Sequence, residues 1–218
     1  MLSDHWPLWA LLVRTPRLEL RVPAEAELAE LADVAAHGIH EPGHQPFLTP
    51  WAADSPTRRA REVLQRHWRH HGTWTPADWV LDLAVFEDGR PLGVQTVQAR
   101  EFGVLREVLT GSWLGLAHHG RGVGTEMRHA VLQLAFAGLN AVEAVSESFA
   151  GNAQSIGVSR KLGYRPDGVS GYAVDGEAKR SQRFRLTRED WERSARPEVT
   201  VDGLEPCLEL FGAVPPAS

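Results

Sequence analysis

The segment Trp113-Leu114-Gly115-Leu116-Ala117-His118-His119-Gly120-Arg121-Gly122-Val123-Gly124-Thr125-Glu126-Met127 constrains this chain more than any other. A strand-like run enters a turn with glycines at alternate positions, and a run of helical period leaves it. Glycine lets the backbone turn tightly and brings its N–H groups against a ligand with no Cβ in the way. The first N–H groups of the following helix have no partner inside it, and its dipole favours negative charge, so the turn is a ready anion site. The dipole contributes about 0.3–1 kcal/mol; several N–H bonds on one pyrophosphate would dominate. A Walker loop needs Lys and then Ser or Thr after its last glycine, and Gly124 is followed by Thr125-Glu126. A dinucleotide fingerprint wants glycine or alanine where Thr125 stands, inside a parallel βαβ unit. Neither fits, and on glycine spacing alone an ordinary tight turn is the competing explanation.

The 218 residues suit one domain, or one domain with a terminal extension. With 23 basic against 28 acidic side chains the formal charge is -5, which draws no nucleic acid, so an anionic ligand must be held locally. The single cysteine, Cys207, cannot form an internal disulfide, which fits a reducing cytoplasm. The apolar patch from Trp6 to Val13 has no basic stretch before it, contains Pro7 and is too short to span a bilayer. A soluble protein without a signal peptide or membrane contact is expected.

Alternation predicts strands at Arg17–Val22, Trp79–Phe86, Pro91–Val97, Glu107–Leu116, Ala141–Ser148, Gly168–Val174 and Lys179–Leu186. The pair Asp88-Gly89 marks a hairpin between the second and third of these. Helical period predicts a helix opened by Pro23 through Leu28, Leu31, Val34 and Ala35, and another over Thr57–His71. Two more are expected at Val123–Ala137 and Asn152–Leu162, the last stopped by Gly163, and a short one begins at Thr187. Residues 38–56 are rich in Pro, Gly and aromatics and too apolar for a solvated linker; a loop folding over a ligand or partner is expected. The order gives a mixed α/β (α+β) domain over residues 1–196 with a largely antiparallel sheet. The amphipathic tail, 197–218, is expected to pack on its own domain or on a partner.

The placing of His119, Gly122 and Gly124 resembles the coenzyme A pyrophosphate loop of the GNAT (GCN5-related N-acetyltransferase) superfamily. A second block, Asn152-Ala153-Gln154-Ser155 through Ser159-Arg160-Lys161-Leu162-Gly163-Tyr164, resembles the segment that closes the coenzyme site there. Arg14-Thr15-Pro16-Arg17-Leu18-Glu19-Leu20-Arg21 is similar to the opening strand of the RimJ/RimL branch, which acylates protein N-termini and other amines. Together these cover roughly Arg14 to Trp191. Ile39-His40-Glu41-Pro42, Pro46-Phe47, Pro50-Trp51 and Gly111-Ser112-Trp113 look like an actinobacterial group of that branch, some of whose members use succinyl-CoA and modify lysine.

The resemblance implies a GNAT fold with splayed fourth and fifth strands and an N-acyltransferase moving succinyl or acetyl from coenzyme A to a primary amine (a lysine, a protein N-terminus or a small amine). It implies a coenzyme site built from Trp113, Leu114, Gly115, Leu116, His119, Gly120, Arg121, Gly122, Val123, Gly124, Thr125, Asn152, Ser155, Ser159 and Arg160. The thioester oxygen would take a strand N–H near Leu114. Many relatives carry a tyrosine acid where Ser159 stands, so Ser155 is the candidate to hydrogen-bond the departing thiolate. Relatives often carry Glu where Leu109 stands; Glu107, Glu143 and Glu147 lie nearby, with Glu107 taken as candidate base. His119 either donates to phosphate or is a spectator, Arg121 is expected to face a phosphate, and Arg160 and Lys161 either reach the 3′-phosphate or are solvated. His40, Phe47, Trp51 and Trp79 are candidate acceptor-site residues.

His67, His70 and His71 have metal-like spacing, but Arg66 and Arg69 between them disfavour a dication, and no metal is expected. A homodimer is expected. The departures at Leu109 and Ser159 keep a second reading open: a non-catalytic acyl-CoA binding or sensing module on the same fold.

Overall fold

Why the sheet takes its shape follows from where each run of alternation finds a partner. In the computed structural model, which describes residues 1–41, 50–174 and 176–213, the chain opens with a turn of helix α1 (Leu2–His5) and the strands β1 (Leu12–Arg14) and β2 (Glu19–Arg21). Helices α2 (Glu25–Ala36) and α3 (Pro56–Gly72) lead to β3 (Asp78–Glu87), β4 (Arg90–Arg100), the single turn α4 (Phe102–Leu105) and β5 (Glu107–Leu114). Then come α5 (Val123–Gln133), β6 (Glu143–Phe149), α6 (Ala153–Lys161), β7 (Arg165–Val174), β8 (Glu177–Thr187), α7 (Arg188–Arg193) and β9 (Thr200–Asp202). The sheet order is β7-β8-β6-β5-β4-β3-β2-β1-β9, and every neighbouring pair is antiparallel except β5 and β6.

Asp88 and Gly89 have φ of 51° and 75°, the left-handed pair that a two-residue hairpin requires, and they join β3 to β4 as the sequence predicts. Alternation along β3 divides the core. Trp79, Leu81, Leu83 and Val85 face α5, while Ala84 and Phe86 face α2 and α3. Val108 of β5 and Ala144 of β6 join the α5 side, and Val94 and Trp113 the other. Helices thus cover both faces of an open, mostly antiparallel sheet. No helix among the described residues is long and apolar enough to cross a membrane.

Four local expectations change. The single early strand is a hairpin, β1 with β2, turned by Thr15, whose Oγ accepts the N–H of Leu18 at 2.9 Å. The short helix α4 was not foreseen; Glu101 and Arg106, with φ of 49° and 52°, bracket it. The helix after the glycine turn passes into a π turn over Leu134–Gly138 instead of running regularly to Ala137. The tail adds a strand, with β9 on β1, and then folds back so that Cys207 and Phe211 are fully buried against the chain's own core. Burial pushes the Cys207 thiol up to about 11.

That tail explains why Trp79 cannot wall an acceptor site. It lies on the α5 side, 1% exposed, stacked on Trp74 with ring centroids 5.7 Å apart and meeting Phe211 edge-on at 4.9 Å. Its Nε1 donates to the Phe211 carbonyl at 3.1 Å, and Trp74 Nε1 donates to that of Leu210 at 2.8 Å. Truncating Phe211 to alanine removes the centre of this aromatic cluster and is expected to cost about 3–5 kcal/mol. Urea denaturation of Phe211→Ala measures it; a loss below about 1 kcal/mol would mean that the tail is not part of the core.

Candidate active site

Strands β5 and β6 run parallel for only four pairs, from Glu107 with Glu143 to Thr110 with Ser146. Beyond that point β5 stays with β4, pairing Gly111 with Thr96 and Leu114 with Gly93. β6 stays with β8, pairing Glu147 with Arg183 and Phe149 with Ser181. The strands part and a V opens in the middle of the sheet. Gly115 donates to the Leu92 carbonyl at 2.8 Å, so in the antiparallel alternation Trp113 and Gly111 bond to β4. The N–H and C=O groups of Ser112 and Leu114 therefore point into the V.

The glycine turn stands at the open end of this V. A Cβ on Gly124 would lie 4.0 Å from Leu114 of β5 and 3.7 Å from Val158 of α6, which places the first turn of α5 between the two. Gly120 and Gly122 have φ of 74° and 81°, left-handed values that glycine adopts without penalty. The N–H groups of Gly120, Arg121, Gly122, Val123 and Gly124 find no acceptor among the described residues. Five consecutive unbonded donors at a helix N-terminus form an anion cradle. Glu126, one turn on, is held away from it: Arg17 grips its carboxylate at 2.5 and 2.8 Å and Thr15 donates at 2.6 Å. Burial opposes that charge, but these bonds outweigh it and keep the carboxyl below its ordinary range.

Two loop residues are engaged by the protein itself. Arg121 is drawn to Glu87 at the end of β3, at 2.5 Å, because an acid stands there; it is not waiting over the cradle. His119 bonds the Leu114 carbonyl through Nε2 at 3.1 Å, tying the turn to the strand end. On the other arm, Asn152 caps α6, its Oδ1 accepting the N–H of Ser155 at 3.1 Å. Ser155 is half-buried and Arg160 is exposed. Ser159 is fully buried, and its hydroxyl has no partner among the described residues.

The sequence reading missed Arg128. It follows Met127 on α5, is 3% exposed, and passes under the point where the strands divide. Its guanidinium donates to Thr110 Oγ1 and Ser146 Oγ, both at 3.2 Å, to Ser112 Oγ at 3.3 Å and to Gln95 Oε1 at 3.4 Å. Tyr164, also buried, lies 3.3 Å from the Thr110 hydroxyl.

The chain as a whole has counterparts among known proteins. Residues 17–165 match the model of the acetyltransferase (GNAT) domain. The chain belongs to the GNAT acetyltransferase family. Its fold is shared by Mycobacterium smegmatis RimJ, solved in complex with CoA-disulfide, with a TM-score of 0.65 and 17% identity, covering 86% of this chain and 92% of that one. RimL, a ribosomal-protein alpha-N-acetyltransferase solved with coenzyme A, matches with a TM-score of 0.62 and 17% identity, covering 81% of this chain and 97% of that one. A GCN5-related N-acetyltransferase from Brucella melitensis gives 0.63 and 18%, covering 83% and 80%. As a member of the GNAT acetyltransferase family, the chain is an acyl-CoA-dependent N-acyltransferase.

On the other face of this GNAT sheet a cavity lies between α2, α3 and the strands, lined among others by Trp51, Val63, Arg66, His67, Asp82 and Trp113. Trp51 meets Trp113 edge-on at 6.0 Å. His40 contacts the Glu41 carbonyl at 2.8 Å, and Phe47 lies outside the described residues. Asp82 accepts from Thr96 at 2.5 Å, His70 at 2.6 Å and Arg66 at 3.2 Å. Burial alone would raise its pKa, but the His70 bond and the Arg66 charge outweigh it and hold the carboxyl well below the usual range. Glu107 and Glu143 are both bound by Arg185, together with Asp167, at the closed end of the parallel ladder. The structure thus places Glu107 away from the V. Glu147, the first β6 residue beyond the ladder, accepts from Ser170 at 3.1 Å and Tyr172 at 2.5 Å.

Burial lowers the pKa of His67 to about 4, with the neighbouring His71 charge adding to the effect. Below pH 6.5 the unfolded chain takes a proton that folded His67 refuses, so stability is full above that pH and falls until about pH 4. The loss from this group is up to about 3 kcal/mol, at 1.36 kcal/mol per pH unit. Denaturant titrations at pH 7, 5.5 and 4.5 should show stability falling, and His67→Leu should flatten the slope. An unchanged slope in the variant would place the proton uptake elsewhere.

Proposed function

We propose that the chain moves a small acyl group, succinyl or acetyl, from a coenzyme A thioester directly to a primary amine of a lysine, a protein N-terminus or a small molecule. The observation that carries this reading is the row of unbonded N–H groups from Gly120 to Gly124 standing at the open end of the V. The row suits a pyrophosphate. The V suits an extended arm that bonds the inward-facing groups of Ser112 and Leu114 as a neighbouring strand would. RimJ and RimL, bound to coenzyme A species on the same fold, support it.

In this reading the thioester carbon sits near the apex of the V. The N–H of Leu114, or that of Ser112 one step deeper, faces the oxygen on which negative charge develops. The amine approaches from the α2/α3 cavity, walled by Trp51, over Gly111, where no atom lies within 4 Å of a Cβ position. Glu147 replaces Glu107 as the base: its carboxylate stands on the arm of the V and takes the ammonium proton, directly or through water. The freed nitrogen attacks the carbon, the C–S bond breaks with its electrons going to sulfur, and the thiolate, hydrogen-bonded by Ser155, takes the proton that the nitrogen sheds as the amide forms.

Thermal-shift titration with coenzyme A, acetyl-CoA, succinyl-CoA, NAD and ATP tests the site. Coenzyme A species at a hundred times their Kd should add about 2.7 kcal/mol, and NAD and ATP nothing. Gly122→Ala, forced toward a left-handed φ at a cost of about 1–2 kcal/mol, should weaken that binding at least fivefold. Glu147→Gln should lower kcat by roughly 100-fold or more with acyl-CoA binding intact. Coenzyme binding with no thiol release toward any amine would make the chain a sensing module, and no selective shift at all would remove the coenzyme site.

A further inference from the structure

Arg128 is a buried cation that forms no ion pair among the described residues. Arg17, Arg21 and Arg185 each hold a carboxylate. Arg128 has none within 4.0 Å among the described residues, and its four acceptors are neutral oxygens at 3.2–3.4 Å. Charge-assisted bonds to a carboxylate are shorter, near 2.7–2.9 Å in general. The guanidinium is therefore positioned without being neutralised. Burying an unpaired cation costs several kcal/mol, and an apolar side chain of similar volume would fill the space at less cost.

The polar groups around it are arranged for a charge. Gln95, Thr110, Ser112 and Ser146 come from three strands and stand on the face where their neighbours Val97, Val108 and Ala144 are core residues. Each gives up apolar contact to offer an oxygen to Arg128. The place is equally specific. Thr110 and Ser146 form the last pair of the parallel ladder, and Ser112 is on the β5 arm of the V, only half-buried. The guanidinium thus lies under the apex, with one hydrogen-bond partner facing the open slot.

We propose that Arg128 selects acyl groups that end in a carboxylate, the monothioesters of short dicarboxylic acids, over neutral acyl groups of the same length. This rests on the reading of the V as the acyl-CoA slot and settles within it the choice left open above. The chain's own polar residues hold the cation in place; the carboxylate at the end of the acyl chain supplies the negative charge that the protein withholds. Its acceptors are neutral, so the guanidinium keeps its full charge, and that charge is what attracts such a partner.

The test compares succinyl-CoA with butyryl-CoA, which has the same chain length but ends in a methyl group, and with bare coenzyme A, on the full chain by calorimetric titration. Wild-type protein should bind succinyl-CoA at least tenfold more tightly than butyryl-CoA. Arg128→Gln and Arg128→Met should bring the ratio to near one or reverse it while bare coenzyme A binds within threefold of wild type. Arg128→Lys, which keeps the charge, should retain part of the preference and guards against variants that fail to fold; the wild-type ratio needs no variant at all. A wild-type ratio near one overturns the proposal, as does a preference that survives in Arg128→Gln. Equal loss of turnover for both acyl groups with the ratio unchanged also overturns it, and would give the cation to the departing thiolate. If bare coenzyme A does not bind, the coenzyme reading fails and this proposal with it; if it binds without a succinyl preference, this proposal alone fails.

Discussion

Four residue pairs of parallel ladder between β5 and β6 hold the two halves of this sheet together. On one side β5 is committed to β4, and on the other β6 is committed to β8, each over more residues than the shared ladder. The join is short because its partners on either side claim the strands beyond Thr110 and Ser146. An arginine stands at each end of it. At the closed end Glu107 and Glu143 are direct neighbours, a repulsive pairing, and Arg185 bridges them while also holding Asp167. Burial opposes the Arg185 charge, but its bonds to these acids raise its pKa. At the open end Arg128 bonds both arms from beneath and meets no acid within 4.0 Å among the described residues. The same residue type is a staple at one end and an unmet charge at the other, and only the second adjoins the slot.

In the proposed reading the sheet also separates the two reactants. Residues on one face of β5, Thr110 and Ser112, look toward α5 and the cation; Gly111 and Trp113 look toward α2, α3 and the aromatic cavity. A coenzyme anchored at the glycine turn and an amine arriving from the cavity would meet only where the backbone parts.

Much of this was legible in the sequence, and the reasons differ by element. The hairpin at Asp88-Gly89 and the turn at Gly120 and Gly122 depend on left-handed φ values, which leave a direct mark on residue choice. The long strands β3, β4 and β5 announce themselves by alternation. The strands β1 and β9 do not: three residues carry no period, and each is a strand because it pairs with the other across nearly the whole chain. Trp79 was misplaced for a related cause. Which face of β3 is which cannot be decided until the tail has docked, and the tail docks on the α5 side.

Arg128 was hidden by the method that found its helix. Periodicity counts apolar positions and passes over a polar one between them, although Arg128 stands beside Met127 on a buried turn. The signal lay instead in the strands, where Gln95, Thr110, Ser112 and Ser146 break an otherwise apolar inward face. Taken singly, each is an unremarkable interruption. Four such interruptions converging on one point demand a common partner, since a buried hydroxyl or amide is stable only when bonded. The partner is a cation that no acid meets within 4.0 Å among the described residues, and in the proposed reading the ligand supplies the missing charge.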